Sequence, residues 1–127
     1  RFKSVNDHHG HAAGDAALVE VANRLTTALR PGDLVARLGG EEFLVALPDV
    51  TERAAHDMAE RLRQAISARP VTLPGGGQLG VTVSIGLALS STVYEPAEML
   101  IARADGALLA AKADGRDKVA MGGRSAA

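Results

Sequence analysis

Cysteine is absent from the 127 residues, and with it go disulfides, thiolate metal sites, iron–sulfur clusters and cysteine nucleophiles. Tryptophan is absent too, and one tyrosine with two phenylalanines holds the aromatic fraction at 2%. The chain therefore offers no stacking platform for single-stranded nucleic acid, and Leu, Val, Ile, Met and Ala must fill the core. An excess of one charge sign is also missing. Lys and Arg number 14 against 15 Asp and Glu, a formal net charge of −1, so neither disorder nor general polyanion binding is indicated. No apolar run approaches the roughly 20 residues that span a bilayer, and Arg1 opens no basic-then-apolar signal pattern. The expectation is one soluble domain, too short for a second core. The cytoplasm is its expected location, a membrane-anchored parent protein is left open, and neither a nucleic-acid partner nor direct membrane contact is expected.

Glycine is what the chain has in quantity, 14 in all, above the average usage of about 7% and clustered. Between the clusters, Leu18, Val21, Ala22, Leu25, Ala28 and Leu29 step by three and four and predict a helix from Gly14 to Pro31-Gly32. Leu34–Leu38 and Glu42–Leu47 flank Gly39-Gly40 and predict a hairpin. The unbroken run Phe43 to Leu47 suggests a strand buried on both faces. A second helix, capped by Asp49 or Thr51, carries Ala55, Met58, Ala59, Leu62, Ala65 and Ile66 up to Pro70. Pro74 to Gly77 makes a turn, and Val81, Val83 and Ile85 alternate with Thr82 and Ser84 in a half-buried strand. A third helix starts near Pro96 and stops at Gly115, with a short strand around Val119. Helices alternating with strands imply a sheet covered by helices. Such a unit ordinarily opens on a strand, so an N-terminal truncation is expected, and residues 122–127 read as a flexible tail.

Three segments can carry chemistry. At Arg37-Leu38-Gly39-Gly40-Glu41-Glu42-Phe43, two glycines permit close approach of a ligand. The adjacent carboxylates are either a solvated residue beside a turn cap or a pair aimed at a hard cation that keeps waters and substrate phosphates in its shell. The loop from Phe2 to Asp15 holds Asn6 and Asp15, whose side chains can pair with a purine edge or serve turns and the helix N-terminus. Its His8, His9 and His11 lack a zinc-site spacing. Lys112 and Arg116 either complement a helix C-terminus or clamp a polyphosphate.

Together these segments resemble the GGDEF-domain diguanylate cyclases from Phe2 to about Val119. The resemblance is carried by Phe2-Lys3 with Asn6-Asp7, Gly10-His11, Gly14-Asp15, the Arg37–Phe43 signature in its Glu-Glu form, Val81 to Gly86, Ala111-Lys112 and Gly115-Arg116. It implies an α+β, nucleotidyl-cyclase-like fold of ferredoxin-like descent, a central antiparallel sheet flanked by helices over residues 1–121. It implies condensation of two GTP into cyclic di-GMP and two pyrophosphates, with Mg²⁺ or Mn²⁺ as cofactor and a homodimer as catalytic unit. By position, the resemblance implies that Gly39 and Gly40 admit the triphosphate, Glu41 is a catalytic metal ligand, Glu42 is a second catalytic acid that either joins the metal or deprotonates the 3′-hydroxyl, and Asn6 and Asp15 contact guanine. Lys112, Arg116 and Lys3, with Phe2, complete the substrate site. Arg30 and Asp33, with Arg61, resemble the family's inhibitory site for cyclic di-GMP, although a turn around Pro31-Gly32 explains the first two equally.

The family carries a further metal-binding aspartate on the opening strand, before Phe2-Lys3, so the chain is expected to be inactive without upstream residues. Leu109 stands where Tyr is frequent and Asp117 where Asn is frequent, neither expected to touch the reacting phosphates. An upstream sensory or receiver domain is expected in the parent. The alternative is a silent module that serves as a receptor for GTP or cyclic di-GMP.

Overall fold

A computed structural model describes residues 10–90 and 94–122. Phe2, Lys3 and Asn6, the histidines at 8 and 9, and positions 123–127 of the expected tail lie outside the described residues. The element order is α1 (His11–Ala28), β1 (Leu34–Gly39), β2 (Glu42–Ala46), α2 (Glu52–Ser67), β3 (Val71–Thr72), β4 (Gln78–Leu79), β5 (Ile85–Leu87), α3 (Ala97–Ala113) and β6 (Val119–Met121). The chain divides into two compact units, Arg1–Asp49 with Gln64–Val81 and Val50–Arg63 with Thr82–Ala127.

In the first unit α1 buries Ala13, Ala17, Val21 and Leu25, one residue per turn, a stripe narrow enough for small and branched side chains to fill without aromatics. Ala13 packs with Val71 and Leu73, and Leu79 and Val81 close over them. Arg24 sits on this stripe at 8% exposure. Its guanidinium donates to the carbonyls of Ile66, Arg69 and Pro70 at 2.8, 2.6 and 3.1 Å, and to Glu20 at 3.0 Å. It thereby satisfies carbonyls at and beyond the end of α2 that no helical N–H can reach. The antiparallel pairs are β1 with β2 and β3 with β4. The second pair is a hairpin over Pro74–Gly77, closed by Leu73 N–H on Gly77 O at 2.7 Å, where the sequence pattern predicts only the turn.

In the second unit Ala55, Ala59 and Leu62 are the buried face of α2 and Ala107 and Ala111 that of α3. Thr51 is the cap, its Oγ1 accepting from Ala54 N–H at 3.1 Å, while Asp49 is left-handed at φ 54°. Of the strand predicted from Val81, only Ile85–Leu87 forms one among the described residues, pairing in parallel with β6. Gly86 in β5 lies so close to α3 that a Cβ would stand 2.0 Å from Ala104 O and 2.4 Å from Leu108 N. Gly122, the first residue of the expected tail, follows β6 and donates to Leu87 O at 2.5 Å.

Three expectations are corrected. Helix α1 begins at His11, three residues before Gly14, with Gly10 as its N-cap at φ 88°. Strand β2 is not buried on both faces. Phe43, Leu44 and Val45 are half-buried and Ala46 exposed, and among the described residues β2 pairs with β1 alone; side chains on a strand are buried only where another layer packs on that face. Helix α3 ends at Ala113, two residues before Gly115, so Arg116 lies beyond it at φ 63°.

Candidate active site at the hairpin turn

The β1–β2 register runs from Leu34 opposite Ala46 to Arg37 opposite Phe43, then jumps to Gly39 opposite Glu42. Leu38 is the extra residue of a bulge and stands 55% exposed. Bulges twist a strand and re-aim the residues beyond them, here a two-residue turn of Gly40 and Glu41. Gly39 and Gly40 adopt φ 150° and 52°, so the backbone itself asks for glycine. Apart from its chain neighbours, a Cβ at either position would meet no atom of the described residues within 4 Å. The space above the turn is open. Arg37 braces the turn from below, its Nε and Nη2 both donating to Gly40 O at 2.8 and 2.6 Å. Glu41 and Glu42 sit at the exposed tip.

One strand pair away, α1 and the hairpin enclose a groove of about 320 Å³ lined by Asp15, Leu18, Val19, Ala22, Val35, Ala36, Arg37 and Phe43. Its walls are apolar apart from Asp15 and Arg37, one carboxylate and one guanidinium at a surface otherwise fit for a planar ring. Asp15 is the fifth residue of α1 and exposed. The helix dipole acts mainly on the first turn, so helix capping does not account for it, and it has no hydrogen-bond partner among the described residues.

The second unit carries the cationic residues. Lys112 is in the last turn of α3, and Arg116 N–H donates to Ala111 O at 2.9 Å. Neither side-chain cation has a partner among the described residues. The neighbouring Asp117 is held by Arg63 at 2.8 Å and by Ser84 Oγ on its N–H at 3.1 Å. Reasoning from sequence missed this arrangement. The one available signal was an Asp at a position where the family often has Asn, a charge in need of a counter-ion.

Arg30 and Asp33 form a turn, Asp33 N–H donating to Arg30 O at 3.1 Å across Gly32 at φ 91°. Arg30 returns its backbone N–H to Asp33 Oδ2 at 2.9 Å and its guanidinium to both carboxylate oxygens at 2.8 to 3.1 Å. Arg30 Nη2 also donates to Pro48 O at 2.8 Å. The Asp33 side chain is left 0% exposed, and the Arg30 hydrogen bonds hold its carboxyl below the usual range. Arg61 is exposed on α2.

Among the described residues no three His, Asp or Glu side chains converge as a metal cluster. The donor set at the turn is nevertheless that of a hard cation: two carboxylates, with open space for waters and phosphate oxygens. It fits magnesium or manganese and does not suit a thiophilic metal.

Residues 1–118 match the family described as diguanylate cyclase, GGDEF domain. The chain belongs to that family. Diguanylate cyclase A of Treponema denticola is 40% identical over 120 residues, covering 94% of this chain and 32% of that protein. This GGDEF domain spans a third or less of the length of the curated relatives it matches. Among solved structures, the GGDEF domain of YfiN from Pseudomonas aeruginosa superposes with TM-score 0.90 at 37% identity, over 97% of this chain and 76% of that one. The GGDEF domain of DgcB from Caulobacter crescentus, solved in complex with c-di-GMP, gives 0.87 at 34% identity, over 94% and 71%. The α+β cyclase fold is therefore that of this domain, and no helix among the described residues is long and apolar enough to cross a membrane.

Proposed function

We propose that the domain condenses two GTP molecules into cyclic di-GMP with release of two pyrophosphates. The observation that carries this reading is the turn: two glycines in conformations that leave open space above them, directly followed by two exposed carboxylates. Glu41 and Glu42 would hold Mg²⁺ or Mn²⁺, which when bound neutralises phosphate charge and makes the ribose 3′-hydroxyl more acidic. The groove receives the base, its apolar walls covering the ring faces while the Asp15 carboxylate accepts from the guanine N–H edge. Lys112 and Arg116, whose cations have no partner among the described residues, pair with the outer phosphates and stabilise the departing pyrophosphate. Phe2, Lys3 and Asn6 keep the roles that the family resemblance implies. Each domain offers one such site, and in-line attack of one nucleotide on the other requires two domains face to face. A homodimer is thus the working unit, and GTP and cyclic di-GMP are its small-molecule partners. The complex of the Caulobacter domain with c-di-GMP supports product binding here.

The test is to incubate the full-length parent protein with GTP and Mg²⁺ and detect cyclic di-GMP by mass spectrometry. Product is expected, and Glu41→Ala and Glu42→Ala are each expected to abolish it while circular dichroism stays unchanged, since both positions are exposed. Binding of GTP or cyclic di-GMP without turnover would instead identify a receptor. Product formation by both variants at the parent's rate would remove the turn from the chemistry.

A further inference from the structure

The loop that carries Arg116 is held in a conformation that its own residues disfavour. Arg116 and Asp117 are both left-handed, at φ 63° and 48°, a region that residues other than glycine enter singly and at a cost. Two in succession need support from outside. Ser84 Oγ accepts from Asp117 N–H at 3.1 Å, and the Asp117 carboxylate accepts from Arg63 Nη1 at 2.8 Å. Arg63 is itself aimed by Glu60, which accepts from its Nε and Nη2 at 3.2 and 3.0 Å. The planar fork is thus fixed by one carboxylate and extended to the other. Lys118, one residue further on, is tied back to Asp114. Asp117 and Lys118 are thus committed to protein, and the Arg116 guanidinium has no partner among the described residues.

Charge makes the same point. A carboxylate beside a phosphate-binding arginine repels the ligand that the arginine attracts. Asp117 is such a carboxylate, and Arg63, at only 20% side-chain exposure, is the cation that offsets it, shared with Glu60. We infer that Arg63 is a positioning residue for polyphosphate binding: through Asp117 it holds the left-handed turn that presents Arg116 and offsets part of the adjacent negative charge. The inference rests on the reading of Arg116 as a phosphate ligand. It adds a requirement of this chain, a paired arginine 54 residues before an aspartate.

The test compares dissociation constants of the full-length protein for 3′-deoxy-GTP, which lacks the attacking hydroxyl, and for GMP, which lacks the outer phosphates. Arg116→Ala defines the signature of a lost phosphate contact, a selective loss for the triphosphate. Arg63→Gln is expected to reproduce it at about tenfold, a scale usual for a displaced ligand group, with GMP affinity unchanged. Adding Asp117→Asn should recover most of the loss, because asparagine tolerates the left-handed region as aspartate does and leaves no charge beside Arg116. A merely structural role for Arg63 on α2 would not be rescued in this way. If Arg63→Gln does not fold, Arg63→Lys serves the same comparison with a loss of about threefold, an ammonium lacking the fork that spans two carboxylates. Absence of a selective loss, or a loss that Asp117→Asn leaves in place, overturns the positioning role while Arg116→Ala still shows its signature. No signature in Arg116→Ala overturns the phosphate reading and this inference with it.

Discussion

Asp15 and Glu95 carry the same charge and have opposite relations to their surroundings. Asp15 is an exposed carboxylate on the second turn of α1, without a hydrogen-bond partner among the described residues, at the mouth of an apolar groove. Nothing in the fold depends on it, so Asp15→Ala is expected to leave the melting temperature unchanged and to erode the preference for GTP over ATP. The unmade guanine contact corresponds to about 1–3 kcal/mol. Competition binding with the two nucleotides checks this, and an equal loss for both would mean that Asp15 does not read the base. Glu95, by contrast, retains 3% side-chain exposure and accepts from Arg103 Nη2 and Nε at 2.7 and 3.0 Å. Arg103 also donates to Leu89 O at 2.6 Å. These hydrogen bonds lower the Glu95 carboxyl below its ordinary value. A lowered folded-state pKa contributes stability that is complete above the unfolded value, about 4.3, and fades as pH falls through the lower folded value. Glu95→Gln should therefore flatten part of the fall in melting temperature below about pH 4.3. An identical acid limb in parent and variant would show that the pair contributes nothing to acid sensitivity.

The elements differ in how much of them local sequence encodes. The helices α1, α2 and α3 and the β1–β2 hairpin are periodic patterns punctuated by glycine and proline, and a pattern of that kind is legible without any partner. The candidate catalytic turn was legible for the same reason, since Gly39 and Gly40 announce a backbone conformation and the two glutamates come directly after. What escaped depends on residues far apart. Arg24 reads as one more charge on a helix until the carbonyls of Ile66, Arg69 and Pro70 surround it, and Arg63 lies 54 positions from Asp117. The run Phe43–Leu47 overstated burial because apolar composition cannot say whether another layer will pack on each face of β2. Gly86 lies between these cases, visible as a motif residue but explained only by α3. Its hypothetical Cβ collides with backbone atoms of Ala104 and Leu108, which cannot swing aside like side chains. Gly86→Ala is thus expected to cost at least about 3 kcal/mol, at the upper end of overpacking penalties. It would appear as a lower urea midpoint at constant m, and a midpoint within error of the parent would show that β5 and α3 separate freely.

At the scale of the whole molecule, the proposed reaction would join two nucleotides held by two domains, so anything that holds those domains apart would control it, and Arg30 with Asp33 is the pair proposed for that task. In the structure the two residues satisfy each other, and Arg30 takes Pro48 O as a further acceptor. The self-pairing accounts for the turn, yet it does not bar a ligand. The Arg30 side chain is 44% exposed and can take phosphate oxygens or the base's acceptors, and once Arg30 swings onto the ligand the covered Asp33 carboxylate can accept from the base's N–H donors instead. Product bound at two such sites would bridge two domains in an arrangement that keeps their GTP sites from meeting, with Arg61 on α2 as a further cation for the bridge. Inhibition of this kind leaves the GTP site untouched. Arg30→Ala and Asp33→Ala are accordingly expected to preserve turnover and to raise the cyclic di-GMP concentration for half-inhibition at least about tenfold, a coupling of about 1.4 kcal/mol. The measurement is a cyclic di-GMP titration at saturating GTP on the full-length protein. Superimposable inhibition curves for parent and variants would reduce Arg30 and Asp33 to the turn that their hydrogen bonds describe. A shift in half-inhibition without a change in the KM for GTP would establish that the pair answers to product while the active site answers to substrate.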